Sequence, residues 1–344
     1  MREFQLPPHY DPKNAYVSSY RPDPAVLMAA ANYWRDGYDI TRASQDSRVI
    51  YALDIDDQSD FDYLDGALFV AGRSGTGAMD ALRRRSEFRY RYLPCITQFI
   101  NTMDTHVPFQ IFFPVAHIDA SGNHPAPHTQ ITADEYRRNY RPNPLFAYQL
   151  GVGVDWLRKQ FIYYCEQLER AGKPPLTIWP YHCLKGSYGH RLAGLIEEVR
   201  LFHGFVRGVN NPIILKGENP LTEHYSIFAP EVTTTHSGGQ IVGAERNVEL
   251  INKISSSHRT FLDGEAGSHC VPASGDDLLT GLIEMDPSFA DKVVFLRDCM
   301  TPVVVPGVVD YTEHMENMLT RFQERGAHVV DSTDYEAIDQ LIFS

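Results

Sequence analysis

The chain has 344 residues, of which 43% are hydrophobic, and its formal net charge is -13. This length allows a large buried core, arranged as one elaborated α/β domain or as two smaller domains, and we favour one. The negative charge argues against nucleic acid and anionic membranes as main partners, because both bind clustered Lys and Arg side chains. The single basic cluster, ALRRRSEFRYRY at 81–92, is interpreted as a solvated helix face.

The cysteines and the first residues bear on where the protein resides. The five cysteines lack the spacing of a disulfide scaffold. The first residues, MREFQLPPHYDPK, lack the apolar centre of a signal peptide, and no apolar run approaches a membrane span. We therefore expect a reducing, cytoplasmic location.

The predicted elements alternate along the chain. Residues 1–47 form an N-terminal extension rich in Pro and Tyr, with one helix at PAVLMAAANYWRDG. Strand-like runs follow at 49–56, 96–101, 176–180, 212–216, 259–264 and 292–298. Helical stretches separate several of them, among them DWLRKQFIYYCEQLERAG, HRLAGLIEEVRLFHGF and TEHMENMLTRFQERGA. The alternation predicts a parallel sheet covered by helices on both faces.

The region from about 107 to 175 is predicted to be an insertion within a domain that spans 48–344. Its first half is rich in Pro, Asn and His, and a long irregular segment in a compact domain is usually functional or lid-like. We expect the insertion and the N-terminal extension to cover the mouth of a pocket or a subunit interface in a homo-oligomer. A simple surface elaboration is the alternative.

The stretch FLDGEAGSHCVPAS at 261–274 places Cys270 where a buried strand turns into a helix. Gly264 and Gly267 permit a tight turn, and Pro272 suits the first turn of a helix. A thiol at a helix N-terminus is biased toward the thiolate by unpaired backbone N–H groups and the helix dipole. Cys270 is therefore the leading candidate for a nucleophile, and a packed core cysteine is the alternative.

Two charged residues end other predicted strands. Asp56 follows the apolar run RVIYALDI, and Lys216 ends the run NPIILK. The carboxyl ends of parallel strands open onto one edge of the sheet, so residues far apart in sequence meet there. We expect Asp56, Lys216 and Cys270 to share one pocket.

A possible metal site is formed by Asp104 and His106, two residues apart after a predicted strand, together with His182 at the end of another. One carboxylate and two imidazoles suit a divalent transition metal and leave positions open for water or substrate. The intervening loop could add one more ligand, from among His117, His124 and His128. With fourteen histidines in the chain, ordinary surface residues are the alternative.

Several ordered motifs resemble those of the isochorismatase-like cysteine hydrolases. They are DIDDQSDFDYLDGALFV at 54–70, KGENPLTEHYSIF at 216–228, GEAGSHCV at 264–271 and DKVVFLRDCMTPV at 291–303. DTH and WPYHC resemble the metal motifs of the nicotinamidase branch. The resemblance implies a Rossmann-like, three-layer α/β/α fold with a central, mostly parallel six-stranded sheet.

The resemblance also implies a role for each matching residue. Asp56 would take the thiol proton, Lys216 would stabilise the charges, and Cys270 would attack a small carboxamide to give a thioester, ammonia and finally an acid. Backbone N–H groups of Ala266 and Cys270 would form the oxyanion hole, with a cis bond between Glu265 and Ala266. The remaining implied contacts are Asp104, His106 and His182 to a divalent metal, zinc first and iron or manganese otherwise, and Phe61, Trp179 and Tyr225 to a flat ring.

Three positions depart from the family turn. Glu265 stands where an apolar residue is usual, and Gly267 and Ser268 stand where Thr-Asp is usual. Glu265 could contact substrate or raise the pKa of the nearby thiol. Two alternatives to the metal-assisted amidase stay open: a metal-free hydrolase of a ureido amide or a vinyl ether, and a non-catalytic member of the family.

Overall fold

A six-stranded parallel sheet forms the centre of the protein. The computed structural model describes residues 6–344, in which the strands are β1 Ile50–Ile55, β2 Gln98–Asp104, β3 His117–Ile118, β4 Gln130–Ile131, β5 Arg141–Pro142, β6 Leu176–Thr177, β7 Ile213–Lys216, β8 Arg259–Gly264, β9 Val293–Met300, β10 Val304–Val305, β11 Val309–Asp310 and β12 His328–Val330. The central sheet has the order β12-β9-β8-β1-β2-β7. All five neighbouring pairs run parallel, as predicted.

One predicted strand was wrong in its placement. The run at 176–180 contributes only β6, which pairs antiparallel with β4 outside the central sheet. The sixth central strand is β12, which pairs with β9 at the edge. With three residues, β12 is too short to show a strand pattern in the sequence.

Helices cover both faces of the sheet. They are α1 Pro24–Tyr38, α2 Ser59–Asp62, α3 Gly77–Arg91, α4 Ala133–Asn139, α5 Pro144–Leu150, α6 Val154–Arg170, α7 Gly194–Arg207, α8 Val248–Ser255, α9 Cys270–Met285, α10 Thr312–Glu324 and α11 Tyr335–Phe343, with 3₁₀ turns at Pro12–Tyr16, Ala43–Gln45, Pro114–Ala116 and Pro287–Lys292. Along β1, Leu53 and Ile55 pack with α8, α9 and α10, whereas Ile50 and Ala52 pack with α1, α3, α7 and α11. The alternation follows from the two-residue period of a strand. The result is the predicted three-layer α/β/α architecture.

The segment at 107–175 has a core of its own. It carries the short strands β3, β4 and β5 and the helices α4, α5 and α6, and α6 matches the predicted amphipathic helix. Phe113, Tyr136 and Phe161 are buried together there. The same cluster includes Trp179, which lies beside the candidate site described below.

The N-terminal segment packs on the helices α3 and α7 of the same chain. Leu27 and Trp34 of α1 are buried against Phe202 of α7. The hydroxyl groups of Tyr20 and Tyr90 both donate to the carboxylate of Glu198. The first five residues of the predicted extension lie outside the described residues, and the division into extension, domain and insertion stays a prediction.

Two further features bear on expectations from composition. Among residues 6–344, no helix combines the length and the apolar character that a membrane crossing requires. The basic cluster on α3 is not a solvated face throughout, because Arg85 and Arg89 are fully buried. Their carboxylate partners lie in two segments, residues 54–62 and residues 263–265. These two segments are far apart in the chain.

Candidate active site

Four residues from separate strand ends meet at the carboxyl edge of the central sheet. Asp56 follows β1, Asp104 ends β2, Lys216 ends β7, and Cys270 begins α9 shortly after β8. The ammonium nitrogen of Lys216 lies 2.8 Å from Asp56 Oδ2 and 3.1 Å from Asp104 Oδ1. It lies 3.7 Å from Cys270 Sγ. The parallel sheet thus brings the three predicted catalytic residues together.

Lys216 is the charged centre of this group. It is 3% exposed, and its Nζ also donates to the backbone carbonyl of His224 at 2.9 Å. Burial alone would lower the pKa of Lys216, but the carboxylates of Asp104 and Asp56 together raise it well above its ordinary value. Lys216 is therefore a permanent cation beside the thiol.

Cys270 begins a helix, as predicted, but its thiol is not activated in the predicted way. Burial raises the pKa of the thiol well above its ordinary value; Lys216 lowers it, while Asp56 and Asp104 raise it further. Desolvation and the two carboxylates thus outweigh the lowering effect of Lys216, so the resting side chain is a neutral thiol. Glu265 is not among the groups that raise this pKa.

Asp56 is positioned to accept the thiol proton. Lys216 Nζ lies 2.8 Å from its Oδ2, Thr102 Oγ1 donates to its Oδ1 at 2.6 Å, and its carboxylate is one of the groups that raise the pKa of the Cys270 thiol. Burial raises the pKa of Asp56, Lys216 lowers it, and Asp104 raises it. A carboxylate with a raised pKa is a stronger base than an exposed one, which suits proton transfer from a thiol.

The three predicted metal ligands also converge. Potential ligand atoms of Asp104, His106 and His182 all lie within 4.8 Å of one another, and the residues are buried. Asp104 Oδ2 lies 2.8 Å from His106 Nε2 and 3.7 Å from His182 Nε2. The other nitrogen of each ring lies near a backbone carbonyl, Gly217 O at 3.2 Å for His106 and Pro180 O at 2.8 Å for His182. This arrangement leaves both Nε2 atoms as donors to a metal.

Gly217 provides room beside these ligands. Its φ is 92°, a conformation that favours glycine. A Cβ atom there would stand 2.7 Å from Asp104 Oδ1 and 3.0 Å from His106 Cε1. Any residue other than glycine at position 217 would therefore clash with the side chains of Asp104 and His106.

The three further histidines considered as ligands lie elsewhere. His117 is buried in the insertion, where its Nε2 contacts Ile111 O, and His124 Nδ1 contacts His117 O at 2.7 Å. His128 packs edge-on against Trp179. None of the three belongs to the Asp104 cluster, so the possible additional ligand does not come from them.

An aromatic cleft opens beside the thiol. Phe61, Trp179 and Tyr225, the three residues predicted to hold a flat ring, all line it together with Cys270. Phe112 of the segment at 107–175 lines it as well, so this segment contributes to the wall of the cleft.

Glu223 also lines the cleft and was missed in the sequence. Its Oε1 accepts hydrogen bonds from Trp179 Nε1 at 3.0 Å and from Tyr225 OH at 2.6 Å, and its Oε2 accepts one from Tyr164 at 3.3 Å. Burial raises its pKa to about 8. The only signal in the sequence was its place in the lysine motif, two residues before Tyr225.

Glu265 does not face the cleft, which corrects the prediction that it contacts substrate. Its side chain is fully buried, its Oε1 accepts from Arg85 Nη1 at 2.9 Å, and its Oε2 accepts from the backbone N–H of Thr301 at 3.2 Å. The neighbouring Ala266 lines the cleft instead. The side chain of Glu265 points toward Arg85 and not into the cleft, so the predicted contact between Glu265 and substrate is not made.

Within residues 6–344, the turn before α9 leaves the backbone N–H group of Ser268 free and, beside the cleft, those of Ala266 and Cys270. Among the described residues, the N–H groups of Ala266 and Cys270 have no acceptor, whereas those of His269 and Val271 both bond to Ala266 O. The peptide bond between Glu265 and Ala266 is cis, as the resemblance implied. Ala266 and Cys270 both line the cleft.

The fold is similar to that of solved nicotinamidases. The yeast nicotinamidase bound to the inhibitor nicotinaldehyde is 15% identical, with 82% of this chain and 100% of that chain covered and a TM-score of 0.50. An Acinetobacter baumanii nicotinamidase/pyrazinamidase is 16% identical over 84% and 99%, with a TM-score of 0.48. A Pyrococcus horikoshii pyrazinamidase in complex with zinc is 18% identical over 82% and 98%, with a TM-score of 0.43. No protein-family model and no curated protein matches the sequence.

The fold class is therefore isochorismatase-like, with a central sheet of six parallel strands between helices. At 15% identity, the structural similarity establishes the fold alone. The reaction and the substrate have to be argued from the chemistry of the site.

Proposed function

We propose that the protein is a cysteine amidohydrolase that acts on a small, flat carboxamide. The observation that carries the proposal is the placement of Lys216 Nζ, 2.8 Å from Asp56 and 3.7 Å from Cys270, whose side chain lines an aromatic cleft. A buried acid, a buried cation and a thiol in mutual contact are the parts that covalent amide hydrolysis requires.

The first half of the proposed reaction forms a thioester. Asp56 takes the proton of Cys270 as Sγ attacks the amide carbonyl carbon. The positive charge of Lys216 offsets the single negative charge that Asp56 and the Cys270 sulfur share during this transfer. The carbonyl oxygen becomes an oxyanion that accepts hydrogen bonds from the free N–H groups of Ala266 and Cys270. Asp56 then returns the proton to the nitrogen, the C–N bond breaks, and ammonia leaves.

The second half regenerates the thiol. A water molecule transfers a proton to Asp56 and attacks the thioester carbonyl carbon. The C–S bond breaks, the proton on Asp56 returns to Sγ, and the carboxylic acid leaves the cleft. Asp56 thus serves as base and acid in turn, for which a raised pKa is suitable.

A divalent metal fits the residues present. Asp104, His106 and His182 would hold it, because the Nε2 atoms of both imidazoles face Asp104 Oδ2 while Oδ1 faces Lys216. One carboxylate and two imidazoles favour zinc, with iron or manganese next. Such an ion would supply a Lewis acid that anchors a polar atom of the substrate.

Ammonia release from a panel of small aromatic and aliphatic carboxamides tests the proposal, with and without a chelator. We expect turnover of at least one flat aromatic carboxamide by the wild-type chain and none by Cys270→Ala. Turnover of ureido amides or vinyl ethers only, unaffected by chelator, would support the metal-free alternative. No turnover in any arm would support a non-catalytic protein.

A further inference from the structure

A buried arginine connects the segment after β1, the turn after β8 and strand β9 next to the candidate site. Arg85, on α3, is fully buried. Its Nη1 donates to Glu265 Oε1 at 2.9 Å and to the backbone carbonyl of Cys299 at 3.0 Å. Its Nη2 donates to Asp62 Oδ1 at 2.7 Å and lies 3.1 Å from Asp57 Oδ1. One guanidinium therefore joins carboxylates from the segment 57–62, after β1, to the carboxylate of Glu265, after β8.

Each of these carboxylates is the chain neighbour of a residue in the proposed site. The pairs are Asp56/Asp57, Phe61/Asp62 and Glu265/Ala266. In each pair one residue contacts Lys216 or lines the cleft, and the other reaches back to Arg85. Because a peptide bond joins the two residues, a displaced carboxylate displaces the backbone of its neighbour as well.

The charges make this cluster costly to bury. Three carboxylates surround one guanidinium, and burial raises the pKa of both Asp62 and Glu265 to about 8. A well-packed apolar cluster of the same volume is often as stable as a buried ionic one or more stable. The fork geometry of the guanidinium, in contrast, fixes the directions of several acceptors at once.

We propose that Arg85 is a positioning residue of the active site. Through Asp57, Asp62 and Glu265 it fixes the backbone of their chain neighbours. These neighbours are the base Asp56, the cleft residue Phe61 and the oxyanion donor Ala266. This inference rests on the proposed hydrolase function. It also gives a role to Glu265. This acidic residue stands at a turn position where the family that the sequence resembles usually has an apolar residue.

The same helix supplies a matched control. Arg89 is equally buried and pairs with Asp54 of β1 and, at 2.7 Å, with Asp263 of β8. The chain neighbours of Asp54 and Asp263 are not lining residues of the cleft. Loss of this ion pair should therefore affect stability without the same effect on the reaction.

The main test compares Glu265→Leu with Asp263→Leu, each measured for kcat, KM and thermal unfolding on the best carboxamide of the panel. Glu265→Leu should lower kcat at least a hundredfold, as loss of one oxyanion donor does, with KM changed less than threefold. Asp263→Leu should keep kcat within threefold. Glu265→Gln, whose single amide oxygen can still accept from Arg85, should restore kcat to within tenfold of wild type.

A second pair covers the case in which a leucine variant does not fold. Arg85→Lys should lower kcat at least tenfold because an ammonium cannot reproduce the fork, and Arg89→Lys should stay within threefold. Alkylation of Cys270 by iodoacetamide needs no carboxamide turnover, and we expect its rate to change at least fivefold in Arg85→Lys and less than twofold in Arg89→Lys.

Equal effects within either matched pair, or unchanged kinetics in Glu265→Leu and Arg85→Lys, would overturn the positioning role. A wild-type chain that turns over no carboxamide would remove the proposed function. The alkylation rates would then still decide whether Arg85 positions the residues around Cys270.

Discussion

The ammonium nitrogen of Lys216 lies 3.7 Å from the sulfur of Cys270. The two residues are 54 positions apart in the chain and end up on opposite sides of β1 and β2, at the same edge of the sheet. Because the thiol pKa is raised by burial, this cation supplies the attraction that a thiolate needs when Asp56 accepts the proton.

Replacing the sulfur tests covalent catalysis. We expect Cys270→Ala to lower kcat at least a thousandfold while thermal unfolding changes little, since the small side chain of alanine fits the same place. Cys95→Ala, at a half-buried cysteine distant from the cleft residues, is the control and should keep full activity. If Cys270→Ala stayed within tenfold of wild type, or ~1.4 kcal/mol of barrier, the sulfur would not be the nucleophile.

Metal binding is tested by elemental analysis of the purified chain. We expect about one divalent ion per chain in wild type and less than a tenth of that in His182→Ala, because two remaining ligands hold a metal poorly. His124→Ala should bind like wild type, since His124 is outside the ligand cluster. A chelated, metal-free wild type with full activity would remove the metal from the mechanism.

Glu223 should make stability depend on pH. Its pKa is raised by burial to about 8 in the folded chain, above the ordinary value of 4.5. The folded state therefore holds a proton that the unfolded state has lost, and the free energy of unfolding should fall as the pH rises from about 5 to 8.

Urea unfolding of the chelated protein at pH 5.5 and 8 measures this dependence. Glu223→Gln should reduce the fall by on the order of 2–3 kcal/mol. Glu313→Gln, at an exposed position of α10, should leave it unchanged. A pH dependence equal in Glu223→Gln and wild type would show that Glu223 is ionised at both pH values.

The first helix should act as part of the core. Trp34 of α1 is only 6% exposed and packs against α7. We expect Trp34→Ala to lower the free energy of unfolding by about 3–5 kcal/mol because it leaves a cavity. Tyr148→Ala, at a side chain that is 83% exposed, should cost less than about 0.5 kcal/mol in the same urea experiment.

The residues before this helix bear on the predicted oligomer. Deleting residues 1–22 keeps α1 and its N-cap Asp23, whose side chain accepts from Ala25 N at 2.8 Å. We expect light scattering to give a multiple of the monomer mass for the full chain and a lower mass, or altered kinetics, for the shortened one. The same mass and kinetics for both chains would leave the segment without a role in assembly or substrate entry.

Much of this site follows from local patterns. An apolar run that ends in Asp56, another that ends in Lys216 and a glycine-containing turn before Cys270 are enough to predict three strand ends, and parallel strands bring their ends to one edge. Asp104 and His106 follow by the same reasoning. His182 was predicted at a strand end for a wrong reason, since β6 lies outside the central sheet, although the side chain does reach Asp104.

Two features depended on tertiary structure, because each arises from partners distant in the chain. The Cys270 thiol is neutral rather than ionised because burial and two carboxylates outweigh the effect of Lys216 on its pKa. Glu265 turns away from the cleft because Arg85, 180 residues earlier, pairs with it. Hydrophobic periodicity and turn residues determined the order of the elements and the sheet edge at which the chemistry lies. Desolvation and long-range ion pairing, which no local pattern encodes, decided the protonation states and which side chains face the substrate.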